Sequence, residues 1–162
     1  MENNQKIIER GEMAQAHFRG GYGCAQAVLL AYADVVGMEK ATLAKLGSSF
    51  GGGMGRLREV CGAVSGAFAV LGFVCGCDDP KDADKKNQHY ALIRAFAERF
   101  KQRAEVGSIV CRELLGGAGV DAKAGGEAEA RTERYYQKRP CAELVRLSAE
   151  TLAEILIELG RL

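Results

Sequence analysis

Apolar side chains recur at helical spacing along most of this chain, and no stretch shows the alternation that a β-strand requires. The clearest case is the segment 140–160, where Leu144, Val145, Leu152 and Ile155 belong to one apolar stripe and Pro140 is expected at the first helical position. Because the same periodicity returns segment after segment, the sequence predicts an all-α fold, a multi-helix bundle.

Breaks in the periodicity divide the chain into its helices. Further helices are expected over residues 4–18, from about 24 to 36, over 39–46, 56–73, from about 80 to 103, and over 106–115. Gly37 is expected to end the second of them. Residues 116–131 are rich in Gly, Ala and Glu without apolar periodicity, so they are predicted to form a mobile surface loop. At 162 residues, the whole of 1–162 is expected to fold as a single domain.

Charge and hydropathy exclude several classes of function. The 22 Lys and Arg residues nearly cancel the 21 Asp and Glu residues, so no global field favours nucleic acid or an anionic membrane. The longest apolar stretch, 61–77, is broken by glycines and slightly short for a membrane span, so no membrane insertion is expected. The first residues lack the apolar region of a secretion signal, which predicts a cytoplasmic protein.

The predicted helix 56–73 contains more glycine than an ordinary helix. Each glycine inside a helix costs about 1 kcal/mol relative to alanine. Gly62 and Gly66 are therefore expected to permit the close approach of a neighbour or of a bound cofactor. The run of glycines at 51–55 just before it matches no nucleotide-binding spacing, and a close-packed or flexible loop is favoured over a phosphate cradle.

Six cysteines, none in a CxxC pair, carry the strongest functional signal. Four of them, Cys24, Cys61, Cys111 and Cys141, lie at or near predicted helix starts and on the apolar side. A helix start favours the thiolate, which is the form that attacks disulfides and binds metals. These four are the candidate redox thiols or metal ligands, and Cys24 and Cys141 have the best placement for a thiolate. The alternative is that all four cysteines have no redox or metal-binding role and pack in the core as small hydrophobic residues, as buried cysteines often do.

Other residues near the cysteines give weaker signals. Cys75 and Cys77 stand apart from the other four, at a predicted helix end. Three interpretations stay open for them: an accessory redox pair, a pair of metal ligands, or two cysteines without a function. Arg112 and Glu113 follow Cys111 and could tune it, although charged residues after an apolar stripe normally face solvent.

The cysteine-bearing segments resemble a known family. They are Tyr22-Gly-Cys-Ala-Gln-Ala-Val28, the glycine run Phe50–Gly55, Cys61-Gly-Ala-Val-Ser-Gly66, Gly107-Ser-Ile-Val-Cys-Arg-Glu-Leu-Leu115 and Pro140-Cys141. Together they are similar to the C_GCAxxG_C_C family, redox-active proteins of bacteria and archaea that are named for their cysteine pattern. The similarity runs from about Phe18 to Leu152. It implies that Cys24, Cys61, Cys111 and Cys141 are redox-active, and it assigns nothing to Cys75 or Cys77.

The resemblance leaves the chemistry and the question of enzymatic activity open. A similar region in split-Soret-type cytochromes implies an iron–sulfur cluster, whereas the absence of CxxCH speaks against a c-type haem. The two redox alternatives are electron transfer through such a cluster and thiol/disulfide exchange, with a redox partner protein or a small thiol or disulfide as partner. Zinc is disfavoured because its structural ligands usually come in close pairs. A non-catalytic helical binding or assembly protein with structural cysteines is the alternative from another class, and a homodimer would suit the apolar faces.

Overall fold

The computed structural model describes all 162 residues and confirms the all-α fold. Its helices are α1 (Glu2–Arg19), α2 (Cys24–Ala31), α3 (Ala33–Val36), α4 (Lys40–Gly47), the single turn α5 (Gly51–Met54), α6 (Gly62–Cys75), α7 (Ala83–Arg103), α8 (Cys111–Gly117), α9 (Glu133–Lys138) and α10 (Cys141–Glu158). A 3₁₀ turn, Ser48–Phe50, joins α4 to α5.

Helices α2, α6 and α10 form the centre of the bundle. Helix α1 packs along α10, α2 packs against α6, and α7 covers the outer side of α6 and α10. Val28, Val64, Val145 and Leu152 are fully buried in one core, as the helical stripes require. Two buried hydroxyls fasten α10 to the centre: Tyr32 donates to the carbonyl of Ala149 at 2.7 Å, and Ser148 donates to the carbonyl of Ala63 at 2.6 Å.

Two helices begin about five residues later than the periodicity predicts. Helix α6 starts at Gly62 rather than at 56, and α8 starts at Cys111 rather than at 106. The residues before them pair instead in a short antiparallel contact between Val60 and Val110. There the N–H of Cys61 donates to the carbonyl of Ile109 at 2.8 Å, and the N–H of Cys111 donates to that of Glu59 at 2.6 Å.

The segment between α5 and this contact has an unusual backbone. Gly52 and Gly53 have left-handed dihedrals, and so do the non-glycine residues Met54, Arg56 and Arg58, with φ of 67°, 65° and 60°. Such conformations cost energy outside glycine and persist only where the surroundings hold them. The glycine run is thus a tightly wound turn, in agreement with the close-packed alternative.

Helix ends follow the expected chemistry at most positions. Gly37 ends α3 in the left-handed conformation, as predicted, although the helix expected from 24 to 36 breaks at Tyr32 into α2 and α3. Asp82 caps α7 by accepting from the N–H of Lys85 at 2.9 Å. Pro140 is the N-cap of α10 and not its first helical residue. None of the helices combines the length and the apolar character needed to cross a membrane.

Candidate functional site

The four predicted cysteines line a single cavity. Cys24, Cys61, Cys111 and Cys141 all border a space of about 110 Å³ among the starts of four helices. Cys61, Cys111 and Cys141 are buried, and Cys24 is partly exposed. Residues separated by more than a hundred positions in the chain thus meet at one place.

Each cysteine stands at the start of its own helix. Cys24, Cys111 and Cys141 are the first residues of α2, α8 and α10, and Cys61 is the N-cap of α6. The antiparallel contact at Val60 and Val110 sets Cys61 and Cys111 side by side before their helices diverge. The first N–H groups of a helix lack partners inside it, so each helix start places partial positive charge near its own cysteine.

Glycines let the walls of the cavity come together. A Cβ added to Gly62 would lie 2.9 Å from the carbonyl oxygen of Phe50 and 3.1 Å from the Cβ of Cys24. A Cβ on Gly53 would lie 2.6 Å from the Cβ of Cys111. Gly62 lines the cavity itself, whereas Gly66 lies a turn further along and packs against Ala25 of α2. The close approach at Gly66 is therefore that of a neighbouring helix.

Four arginines border the same cavity, although the sequence did not single them out. They are Arg56, Arg58, Arg131 and Arg139, accompanied by one acidic residue, Glu129. The side chain of Arg139 is only 5% exposed and forms an ion pair with Glu129. Arg131 lies 4.4 Å from the ring centre of Phe18 and donates to the carbonyls of Phe18 and Tyr22 at 3.0 Å. The cavity wall therefore has an excess of positive charge.

Residues 118–131, the covering segment, close one side of the cavity. They form no helix or strand, as predicted for most of 116–131, but Gly116 and Gly117 still belong to α8. Gly125 and Arg56 exchange two hydrogen bonds, at 2.9 and 3.0 Å, and Arg58 donates to the carbonyl of Lys123 at 3.4 Å. Cavity arginines thus hold the segment in place.

The thiols of Cys24 and Cys141 shift each other's pKa in opposite directions. A hydrogen bond from Cys24 lowers the pKa of Cys141 to about 7, and the nearby guanidinium of Arg139 acts in the same direction against the effect of burial. The same hydrogen bond, with burial, raises the pKa of Cys24 well above its ordinary value. Of the two cysteines with the best expected placement for a thiolate, Cys141 thus has a lowered pKa and Cys24 a raised pKa.

The other two cavity cysteines favour the neutral thiol in the metal-free protein. Burial raises the pKa of Cys61 to about 12, against the opposing effect of the N–H groups of Ala63 and Val64. Burial also raises the pKa of Cys111, although Arg58 opposes this shift by donating to the Cys111 sulfur at 3.8 Å. Metal ligation at these sulfurs would therefore release protons, as is usual for thiolate ligands.

Four cysteines around one cavity equal the number of thiolates that commonly hold an iron–sulfur cluster. No three His, Cys, Asp or Glu side chains are grouped so that they could hold one ion. A cluster is held by four thiolates that are shared among several irons, so they need not meet around one point. The helix N-termini and the excess of arginine around the cavity supply positive charge opposite the negative charge that four thiolates would carry.

The remaining sequence signals lie elsewhere. Cys75 and Cys77 are outside the cavity, at and beyond the end of α6. Arg112 is exposed and pairs with Glu59, and Glu113 accepts from Ser108. The arginine that contacts the Cys111 sulfur is Arg58, which is distant in sequence and carries no local pattern to reveal it.

Comparison with known proteins identifies the family of the chain. A family model described as "Putative redox-active protein (C_GCAxxG_C_C)" matches residues 22–155, which include all four cavity cysteines. Searches among curated proteins and among solved structures gave no match. Since the match covers most of the 162 residues, the chain belongs to the C_GCAxxG_C_C family of redox-active proteins.

Proposed function

We propose that this protein transfers electrons through an iron–sulfur cluster held by Cys24, Cys61, Cys111 and Cys141. The observation that carries the proposal is the convergence of four cysteines, each at a helix start, on one arginine-bordered cavity. Thiol exchange needs two cysteines, whereas a cluster commonly takes four. The bound group would supply one-electron chemistry, and a redox partner protein would deliver or remove the electron.

The chain's own residues would hold and shield this centre. Cys24 is partly exposed as a residue, while Cys61, Cys111 and Cys141 are buried, so the bound group would be largely shielded from solvent. Arg131 and Arg139 place positive charge beside the thiolates, and the covering segment limits the access of water. Burial and hydrogen bonding around the sulfurs are the features by which a protein sets a cluster's potential. We expect such a protein to work in the reducing cytoplasm.

Anaerobic purification followed by iron and acid-labile sulfide analysis tests the proposal. The wild-type protein should contain both and absorb visible light, and each of C24S, C61S, C111S and C141S should lose most of the iron. The matched controls are C75S and C77S, since these cysteines lie outside the cavity. Equal iron in the cavity and control variants, or no iron and sulfide after anaerobic reconstitution, would contradict the proposal.

Thiol/disulfide exchange is a second candidate, favoured by the hydrogen bond between Cys24 and Cys141. The Cys141 thiolate would attack a disulfide, forming a mixed disulfide and releasing one thiolate. Cys24, after losing its proton to solvent, would attack the Cys141 sulfur and release the second thiolate. The substrate gains two electrons, and the protein is left with a Cys24–Cys141 disulfide.

Peptide mapping separates this candidate from the cluster. Metal-free protein, oxidised with a small disulfide and alkylated, should yield a peptide pair linked through Cys24 and Cys141, and dithiothreitol should reverse the link. C24S should instead accumulate the mixed disulfide on Cys141. Other pairings, or no reversible disulfide, would count against this second function.

A further inference from the structure

We propose that Arg58 is a positioning residue of the redox centre, whose buried charge balances the negative charge of the cysteine sulfurs when they bind a cluster. This inference rests on the proposed cluster function. It also makes a claim about the metal-free protein that can be tested independently. Arg58 lies in the loop before α6, outside the cysteine pattern.

The burial of Arg58 is the first argument. The residue is only 3% exposed and borders the cysteine cavity. Its Nη1 donates to the Cys111 sulfur at 3.8 Å and its Nε to the carbonyl of Lys123 at 3.4 Å, but no carboxylate forms an ion pair with it. Buried Arg139, by contrast, pairs with Glu129. A buried cation without an anionic partner is costly, so an anion at this cavity would relieve the cost.

The backbone of Arg58 supplies the second argument. Its φ of 60° lies in the left-handed region, which a non-glycine residue seldom adopts. The N–H of Arg58 donates to the carbonyl of Gly52 at 3.2 Å, and its carbonyl accepts from the N–H of Arg112 at 3.2 Å. The guanidinium is thus presented to Cys111 from a fixed, strained backbone, which is common at functional sites.

The sign of the effect on redox chemistry follows from charge. Reduction adds negative charge to the centre, and a nearby cation stabilises the more negative state. Arg58 should therefore raise the reduction potential and tighten metal retention. In the metal-free protein no carboxylate pairs with this buried cation, so a neutral side chain in its place should remove a desolvation cost that is larger than the long hydrogen bond to Lys123 lost with it.

The test compares Arg58→Met, which keeps an unbranched side chain and removes the charge, with Arg112→Met as the matched control. Arg112 lies next to Cys111 but is exposed and pairs with Glu59 outside the cavity. Three quantities are measured: the Tm of the metal-free protein, iron loss to a chelator, and the midpoint potential of the reconstituted centre followed by its visible spectrum.

For R58M we expect a metal-free Tm equal to or above that of wild type, a lower midpoint potential, and about 10- to 100-fold weaker metal retention. R112M should match wild type in midpoint potential and metal retention. Arg58→Lys, which keeps the charge without the planar fork, should restore part of the potential. A lower metal-free Tm in R58M, or an unchanged midpoint potential, would overturn the inference.

Failure of this inference is distinct from failure of the proposed function. Wild-type protein that binds no iron refutes the cluster, and the comparison of metal-free Tm values then decides alone whether the charge of Arg58 is unbalanced. Wild-type protein that binds iron with the same midpoint potential in R58M retains the cluster and refutes the role of Arg58.

Discussion

Cys141 differs from the other cavity cysteines in the protonation state that the fold favours. Its sulfur accepts a hydrogen bond from Cys24 and lies beside Arg139, whereas Cys61 is buried without a comparable cation. At the residue scale, then, identical side chains at the starts of different helices acquire different pKa values. The deciding influences are the neighbouring groups and not the helix start that all four share.

Alkylation of the reduced, metal-free protein should display this difference. Because the pKa of Cys141 is lowered to about 7, its rate should rise as the pH increases through about 7 and level off above it. Cys61, with its pKa raised to about 12, should stay unreactive over that range. Mass spectrometry of peptides after timed iodoacetamide treatment measures both rates.

The variant C24A should move the midpoint for Cys141 upward, because it removes the hydrogen bond that stabilises the thiolate. C77A serves as the control, since Cys77 lies outside the cavity. A wild-type midpoint at the ordinary thiol value of about 8.5, unaffected by C24A, would show that the two thiols do not interact.

At the scale of whole elements, the contact between α2 and α6 decides whether the cysteines can meet. Gly62 and Gly66 let α6 approach the backbone of α2 at Cys24 and Ala25. The antiparallel contact between Val60 and Val110 brings the starts of α6 and α8 together in the same way. These glycines lower the helix propensity of α6, but they allow the close approach that brings two cysteine-bearing helix starts to one cavity.

The pair Gly66→Ala and Gly72→Ala tests this interpretation within one helix. A Cβ on Gly66 would lie 2.9 Å from the carbonyl oxygen of Ala25, so α2 must shift, at a cost of about 1–3 kcal/mol in the free energy of unfolding. A Cβ on Gly72 meets only the His89 ring at 4.0 Å, so alanine should stabilise the protein by about 1 kcal/mol. Urea denaturation measures both, and equal effects of the same sign would refute the interpretation.

At the scale of the whole molecule, the sequence predicts the helices better than the site. Apolar periodicity is local, so it identified α1, α4 and α10 closely and put Cys24 and Cys141 at the starts of their helices. It could not reveal the contact at Val60 and Val110, which delays α6 and α8, because that pairing joins distant segments. The sequence could not reveal the role of Arg58 for the same reason, because its contact with Cys111 spans 53 positions. Arg112, which adjoins Cys111 in the sequence, faces solvent instead.

Binding of a cluster should stabilise the entire bundle because its ligands are spread from residue 24 to residue 141. These sulfurs come together only in the folded chain, so a tightly bound group adds about 4 kcal/mol when its concentration is a thousandfold above Kd. For a protein of this size the Tm should rise by on the order of 10 °C. Circular dichroism at 222 nm, recorded anaerobically on loaded and metal-free samples, measures the difference.

C75S should retain this rise in Tm and C111S should lose it, since only Cys111 lines the cavity. Equal Tm values for loaded and metal-free wild type would mean that the metal is bound outside the folded four-helix site.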